Sequence, residues 1–327
     1  MAKAPVKTKP PAAKPTAKAK PAKAKPAENP TTKIDPLLAQ YWANPSDTEL
    51  LRVWADALSE RGDLRGEFIQ LSLLAERTPE QEQRRRALDD KHHGKLAGPA
   101  REFLREFDLG PNGIVHAARC EADKLVAGLA AIEWINPRLA LKVTSLKSKP
   151  VLDELAKLSL ERIYHVSFQW NVIGSQGGSP MTDAQLIKLA PAFRRVRHLS
   201  LDCGGYLDNC FTPEGLRVLG NTVEQLEFLS INYYNSAAGN YPAAKRRALP
   251  PMQDYAHAIA TTPGFRTLKT VFLRANNTGS VSPEAFASLP SLVYAETTPR
   301  LKTGGWPYGS PGLADEIDAA KRGERHA

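Results

Sequence analysis

Four segments in the second half of the chain share one six-residue rhythm, apolar-x-x-apolar-x-apolar. They are Ile163, Val166 and Phe168 in IYHVSF, Val196, Leu199 and Leu201 in VRHLSL, Leu226, Leu229 and Ile231 in LEFLSI, and Leu268, Val271 and Leu273 in LKTVFL. Their starts lie 33, 30 and 42 residues apart, and weaker copies stand at LALKV near Leu141 and LPSLVY at Leu289. Between the copies come helix openings of one type: Thr182-Asp183, Thr212-Pro213-Glu214 and Ser282-Pro283-Glu284, a hydroxyl cap followed by an acid in the first turn. Strand, loop, capped helix and return form a unit that cannot bury its own apolar face, so the units must stack. The stretch from Asn232 to Gly264 is too long for one turn and makes the series irregular.

The front of the chain is built differently. Ser46-Asp47-Thr48-Glu49 has the S-x-x-E spacing of a capping box, with Leu50, Val53, Trp54, Ala57 and Leu58 following on one helix face. Gly62 stands where a helix ends, Asp63 can cap the next helix, and Phe68, Ile69, Leu71 and Leu74 give that helix an apolar side. Thr78-Pro79-Glu80-Gln81 opens a third helix by the same rules. The expected fold class is therefore α/β. A helical module over 34–112 precedes a short irregular repeat solenoid over 113–300, with a closing loop and short helix over 301–327.

The back half resembles leucine-rich repeats of the longer, helix-containing sort. Asn171 and Asn276 occupy the asparagine position of that repeat, while Gly204 and Tyr234 replace it in the middle two copies. The stretch LRVWADALSERGDLRGEFI closely resembles the repeat-companion domain, a helical module found in bacterial paralogous families ahead of leucine-rich repeats. Its signature is carried by Asp56, Glu60, Arg61, Gly62, Asp63, Gly66 and Glu67 together with Leu51, Ala55, Leu58, Arg65 and Phe68. It departs from the family at Ala57, where Trp is usual, and at Leu64, where Pro is common. The resemblance implies an architecture and carries no activity with it.

Charge is segregated. Residues 1–33 hold nine Lys, nine Ala, seven Pro and a single acid, Glu28, a net +8 out of +9 for the whole chain. Such a segment cannot bury enough apolar surface to fold and is expected to be extended and disordered. It resembles the tail of a linker histone. Lys14, Lys18, Lys20, Lys23 and Lys25 would neutralise phosphates without reading bases, giving weak, salt-dependent nucleic-acid binding. The alternative is a solubilising spacer. No apolar run approaches the roughly 18 residues of a membrane span, no apolar segment follows the basic start, and Cys120, Cys203 and Cys210 are too scattered for a disulfide framework. A cytoplasmic protein is expected.

No nucleotide-binding, zinc-protease or thiol-redox motif occurs, so no cofactor, no metal and no catalytic residue are expected. Asp89-Asp90-Lys91-His92-His93 has metal-ligand residue types, but adjacent helical residues diverge by about 100° and no second cluster completes a shell. Asp56, Glu60 and Glu67 with two arginines could serve acid–base or phosphate chemistry, yet a helix corner needs the same residues for capping and pairing. The sheet face opposite the repeat core offers a better surface. Positions 3, 5, 7 and 8 of each copy would form four rows: His165, His198, Phe228, Thr270; Ser167, Ser200, Ser230, Phe272; Gln169, Asp202, Asn232, Arg274; and Trp170, Cys203, Tyr233, Ala275. Trp170, Asp202, Asn232, Tyr233, Phe272 and Arg274 are the candidate contacts for a protein or peptide partner in a non-catalytic scaffold. The plainer reading is a solvated sheet whose aromatics are covered by the neighbouring insert.

Overall fold

The computed structural model describes residues 35–146, 149–169, 181–204, 210–234, 250–275, 281 and 283–296, with the side chains at 202–204, 233–234, 274–275, 283–284, 294 and 296 outside that description. Trp170, Asn171, Asn276 and the lysines of the first 33 residues therefore lie outside the described residues. From Asp35 onward the described chain packs as one unit.

Four helices come first: α1 (Pro36–Ala43), α2 (Thr48–Glu60), α3 (Leu64–Ser72) and α4 (Pro79–Leu96). The cap of α2 is Asp47 and not Ser46; its carboxylate accepts from the N–H groups of Glu49 and Leu50 at 3.0 and 3.3 Å. The buried stripe of α2 is also turned by about one residue from the expected face. Leu51, Trp54, Ala55 and Leu58 are buried, while Val53 is 48% exposed. α4 begins with the expected reciprocal capping box of Thr78 and Gln81.

An eight-stranded sheet follows, in the order β1 to β8 along the chain: β1 (Glu106–Leu109), β2 (Val115–Glu121), β3 (Ala140–Thr144), β4 (His165–Gln169), β5 (His198–Gly204), β6 (Phe228–Tyr234), β7 (Thr270–Ala275) and β8 (Tyr294–Glu296). Only β1 runs antiparallel, as a hairpin partner of β2; every later pair is parallel. The segment 34–112 is thus not wholly helical, because its end supplies the edge strand. Each parallel step needs a crossover, made by α5 (Ala122–Ile132), α6 (Lys149–Leu155), α7 (Asp183–Leu189), α8 (Pro213–Thr222), α9 (Met252–Thr261) and, before β8, a 3-10 turn at Pro283–Phe286. Consecutive helices pack on one another in the same order as the strands.

The register aligns the six-residue pattern across the sheet. Val166, Leu199, Leu229 and Val271 lie side by side, as do Phe168, Leu201, Ile231 and Leu273. These residues are at most 2% exposed and share one core with Leu186, Leu189, Leu216, Leu219 and Ile259 of the helices. Backbone bonds at the second position repeat from unit to unit: Glu227 N–H donates to Arg197, Lys269 to Glu227 and Val293 to Lys269, each at 2.8 Å. Asp183 also ties neighbouring units, accepting from the backbone N–H and hydroxyl of Thr212, the cap of α8. The last copy is shifted by three residues from its sequence reading, since Val271 pairs with Ala295, which makes Leu292 and Ala295 its first and fourth positions.

Candidate interaction surface

Residues alternate faces along a strand, so the positions between the core residues stand on the side of the sheet away from the helices. The register sets His165, His198, Phe228 and Thr270 in one row, Ser167, Ser200, Ser230 and Phe272 in the next, and Gln169, Asp202, Asn232 and Arg274 in a third. The rows extend into the earlier strands, where Ala117 and Ala140 continue the first, and Arg119 and Lys142 continue the second. The copy in β3 is the weaker LALKV of the sequence, whereas the one in β2 was missed. The β2 copy, Val115-x-x-Ala118-x-Cys120, has the right spacing, but two of its three apolar positions are small residues that leave little hydrophobic signal.

The centre of this face is dry. His165 is fully buried and Ser167, Ser200 and Ser230 are no more than 3% exposed; Phe228 and Phe272 are 5% and 6% exposed. Their rings lie 5.5 Å apart, and His165 packs 5.2 Å from Phe228. His198, half-buried, meets Tyr164 edge-on at 4.3 Å. Toward β2 the face turns polar and accessible: Arg119 donates to Gln169 Oε1 at 3.4 Å and pairs with Glu106 at 3.2 Å, beside half-buried Lys142.

His165 Nε2 lies 2.9 Å from Ser200 Oγ, the spacing of a nucleophile and its base. The surroundings give it a different character. Burial, with the neighbouring His198 charge adding to it, depresses the imidazole to a pKa of about 3, so it stays neutral in physiological conditions. Its Nδ1 has no hydrogen-bond partner among the described residues, so nothing orients it as a triad would. The pair is a buried hydrogen bond between adjacent strands. Burial, with Asp123 and Glu121 nearby, likewise pushes the Cys120 thiol up to about 12, which favours its protonated form.

Of the candidate partner contacts, Asn232 and Phe272 are on the expected face but buried, and Asn232 Nδ2 donates to Ser230 Oγ at 3.4 Å. Asp202, Tyr233 and Arg274 occupy their rows by backbone register. Lys14, Lys18, Lys20, Lys23, Lys25 and Trp170 are outside the described residues.

The signature residues of the helix corner do not converge. Arg61 pairs with Asp35 at 2.7 Å, Glu67 receives a two-pronged contact from Arg84 at 2.6 and 2.7 Å, and Asp56 accepts from Gln70 at 2.5 Å. Glu60 is exposed at the end of α2. Asp63 caps α3 through the Arg65 N–H at 3.0 Å and also binds that residue's guanidinium. Burial would raise the Asp63 carboxyl, but the Arg65 side chain and the helix N–H outweigh it and hold it below its usual value. Gly62 adopts φ +72°, a conformation other residues rarely take, and a side chain on Gly66 would collide with the α2 backbone at Ala55 and Ser59. His93 is engaged by Asp89 at 2.6 Å and stacks on Phe107, and the described residues contain no group of three metal-ligating side chains.

No described helix is long and apolar enough to cross a membrane. Compared with known proteins, no family model matches the chain, and no curated protein matches it.

Proposed function

We propose that the chain is a non-catalytic interaction scaffold, a repeat-companion module followed by leucine-rich repeats, which engages a protein or peptide on the sheet face opposite the helices. The observation that carries this reading is the strictly sequential sheet, with one six-residue pattern aligned from β4 to β7 and one helix per crossover. Repeat stacks of this kind offer a continuous row of side chains to a partner. The accessible part of the face is polar and cationic at Arg119 and Lys142, which favours an acidic or hydrogen-bonding segment there. Arg274 and Tyr233 would extend the contact along the carboxyl ends of the strands.

The test is affinity capture from the native host with the full chain and with the double variant Lys142→Glu/Arg274→Ala, whose folding is checked by thermal melting. The reading expects named partners of the wild type to be lost by the variant at an unchanged melting temperature. Retention of every partner would overturn it.

A second reading, nucleic-acid association through the basic arm, is favoured by the segregation of charge, +8 in residues 1–33 against +1 in the remainder. Anisotropy titration of duplex DNA with and without those residues decides it. Equal binding by both forms would exclude the arm.

A further inference from the structure

The turn between α2 and α3 faces the carboxyl end of α4, and a cleft of about 750 Å³ opens between them. The turn Gly62–Arg65 forms one side, and Lys91, Lys95 and Arg101 stand on the other. Among the described residues Asp63 is the one carboxylate that lines the cleft, and Arg65 already engages it through Nε and Nη2. Among the described residues no carboxylate pairs with Lys91, Lys95 or Arg101. Lys95 lies in the last turn of α4, where a cation suits the helix dipole, and Lys91 stands one turn before it, near enough for the two ammonium groups to repel.

Two glycines leave the room that the two arginines occupy. A Cβ on Gly98, whose φ is +57°, would land on Arg65 Nη1, and one on Gly94 would sit 3.2 Å from Arg101 Nε. Arg65 is fixed further by Asp63 and by the Trp54 ring, 5.9 Å below its guanidinium carbon. Its Nη1 is left beside Gly98 with no acceptor among the described residues. Arg101 is anchored by donating from Nη1 to the Leu104 carbonyl at 2.8 Å. The result is two pre-positioned guanidinium groups and two exposed ammonium groups around one space, and such an arrangement binds phosphate oxygens well.

We propose that this cleft is a binding site for a diphosphate-bearing anion. One phosphate group carries about two negative charges, fewer than the three unpaired cations of Lys91, Lys95 and Arg101, so more than one phosphate is needed to match them. The only aromatic ring among the described lining residues is that of His92, so there is little platform for stacking a base, and the phosphates themselves supply the recognition. The inference stands apart from the sheet face and does not depend on how that face is used.

Isothermal titration of the full chain with inorganic pyrophosphate, orthophosphate and a nucleoside diphosphate tests it. Pyrophosphate is expected to bind more tightly than orthophosphate, and Lys91→Glu/Lys95→Glu is expected to weaken it about tenfold or more. Lys95→Gln, a milder change at an exposed position, should weaken it by a smaller factor if the double variant proves unstable. A nucleoside diphosphate weaker than pyrophosphate identifies the inorganic group as the ligand; one that is as tight or tighter identifies an organic diphosphate. Lys18→Glu/Lys20→Glu/Lys23→Glu controls for the basic arm and should leave the affinity unchanged. No pyrophosphate binding below about 5 mM, unchanged binding by the α4 variants, or an equal loss in the arm variant would each overturn the proposal.

Discussion

The helix corner and the centre of the sheet both concentrate polar side chains, yet they treat them in opposite ways. At the corner, Arg61, Glu67 and Asp56 are each paired outward with a different partner and remain wet. In the sheet, His165 and Ser200 are paired with each other, neutral and dry. Residue type alone would rank the corner as the chemical site. Surroundings decide instead what each cluster contributes to stability, because a charge in water loses little when its partner is removed, whereas a polar group in a dry layer depends on its neighbours for every hydrogen bond.

The contrast can be broken most directly through the core. Phe168, fully buried against Phe193 at 5.1 Å, should cost about 3–5 kcal/mol when replaced by alanine, read as a fall in urea midpoint. A loss no greater than that of a corner variant would erase the distinction between the two regions.

Acid should act next, and through the sheet. A histidine with pKa 6.5 unfolded and about 3 folded binds its proton in the unfolded state first, so the folded state loses stability as pH falls below about 6.5 and is spared above it. The expected slope is about 1.4 kcal/mol per pH unit in that window. Urea unfolding at stepped pH should show a shallower acid slope for His165→Gln than for the wild type. Identical slopes would mean that His165 is not held neutral by burial.

Removing the Asp63 cap by Asp63→Ala should cost about 1 kcal/mol, since it frees a helix N–H and releases Arg65. Calorimetry reads this as a small drop in Tm. The smallest effect is expected from Glu67→Gln. Arg84 holds the Glu67 carboxyl below its usual range, but both partners are well exposed, so solvent screens the pair and Tm should not move measurably. A large drop there would place the corner with the sheet after all.

Much of the fold was legible because its signals are local. The caps at Thr78, Thr182 and Thr212 are each read within four residues, and the aligned rows follow from one six-residue rhythm. The misreadings fall where the signal was weak or shared. Ser46 and Asp47 are both good caps, and the start of α2 at Thr48 puts Asp47 in the capping position. Val115, Ala118 and Cys120 hold a repeat position with small side chains, and β1 reads as a polar continuation of the helical segment until its pairing with β2 is seen. LPSLVY offered two registers three residues apart, and the backbone bond from Val293 to Lys269 selected the later one.

By itself the sequence determined a series of strands and capped helices that must stack, and a basic arm unlike the rest of the chain. It could not determine which side chains of the outer sheet face would be dry, or that Arg65, Lys91, Lys95 and Arg101 would share one cleft. Those outcomes depend on neighbours about 30 residues away in sequence. Spacing fixes what a segment becomes, but burial and electrostatics are set by what lies against it, and only the tertiary structure brings those groups together.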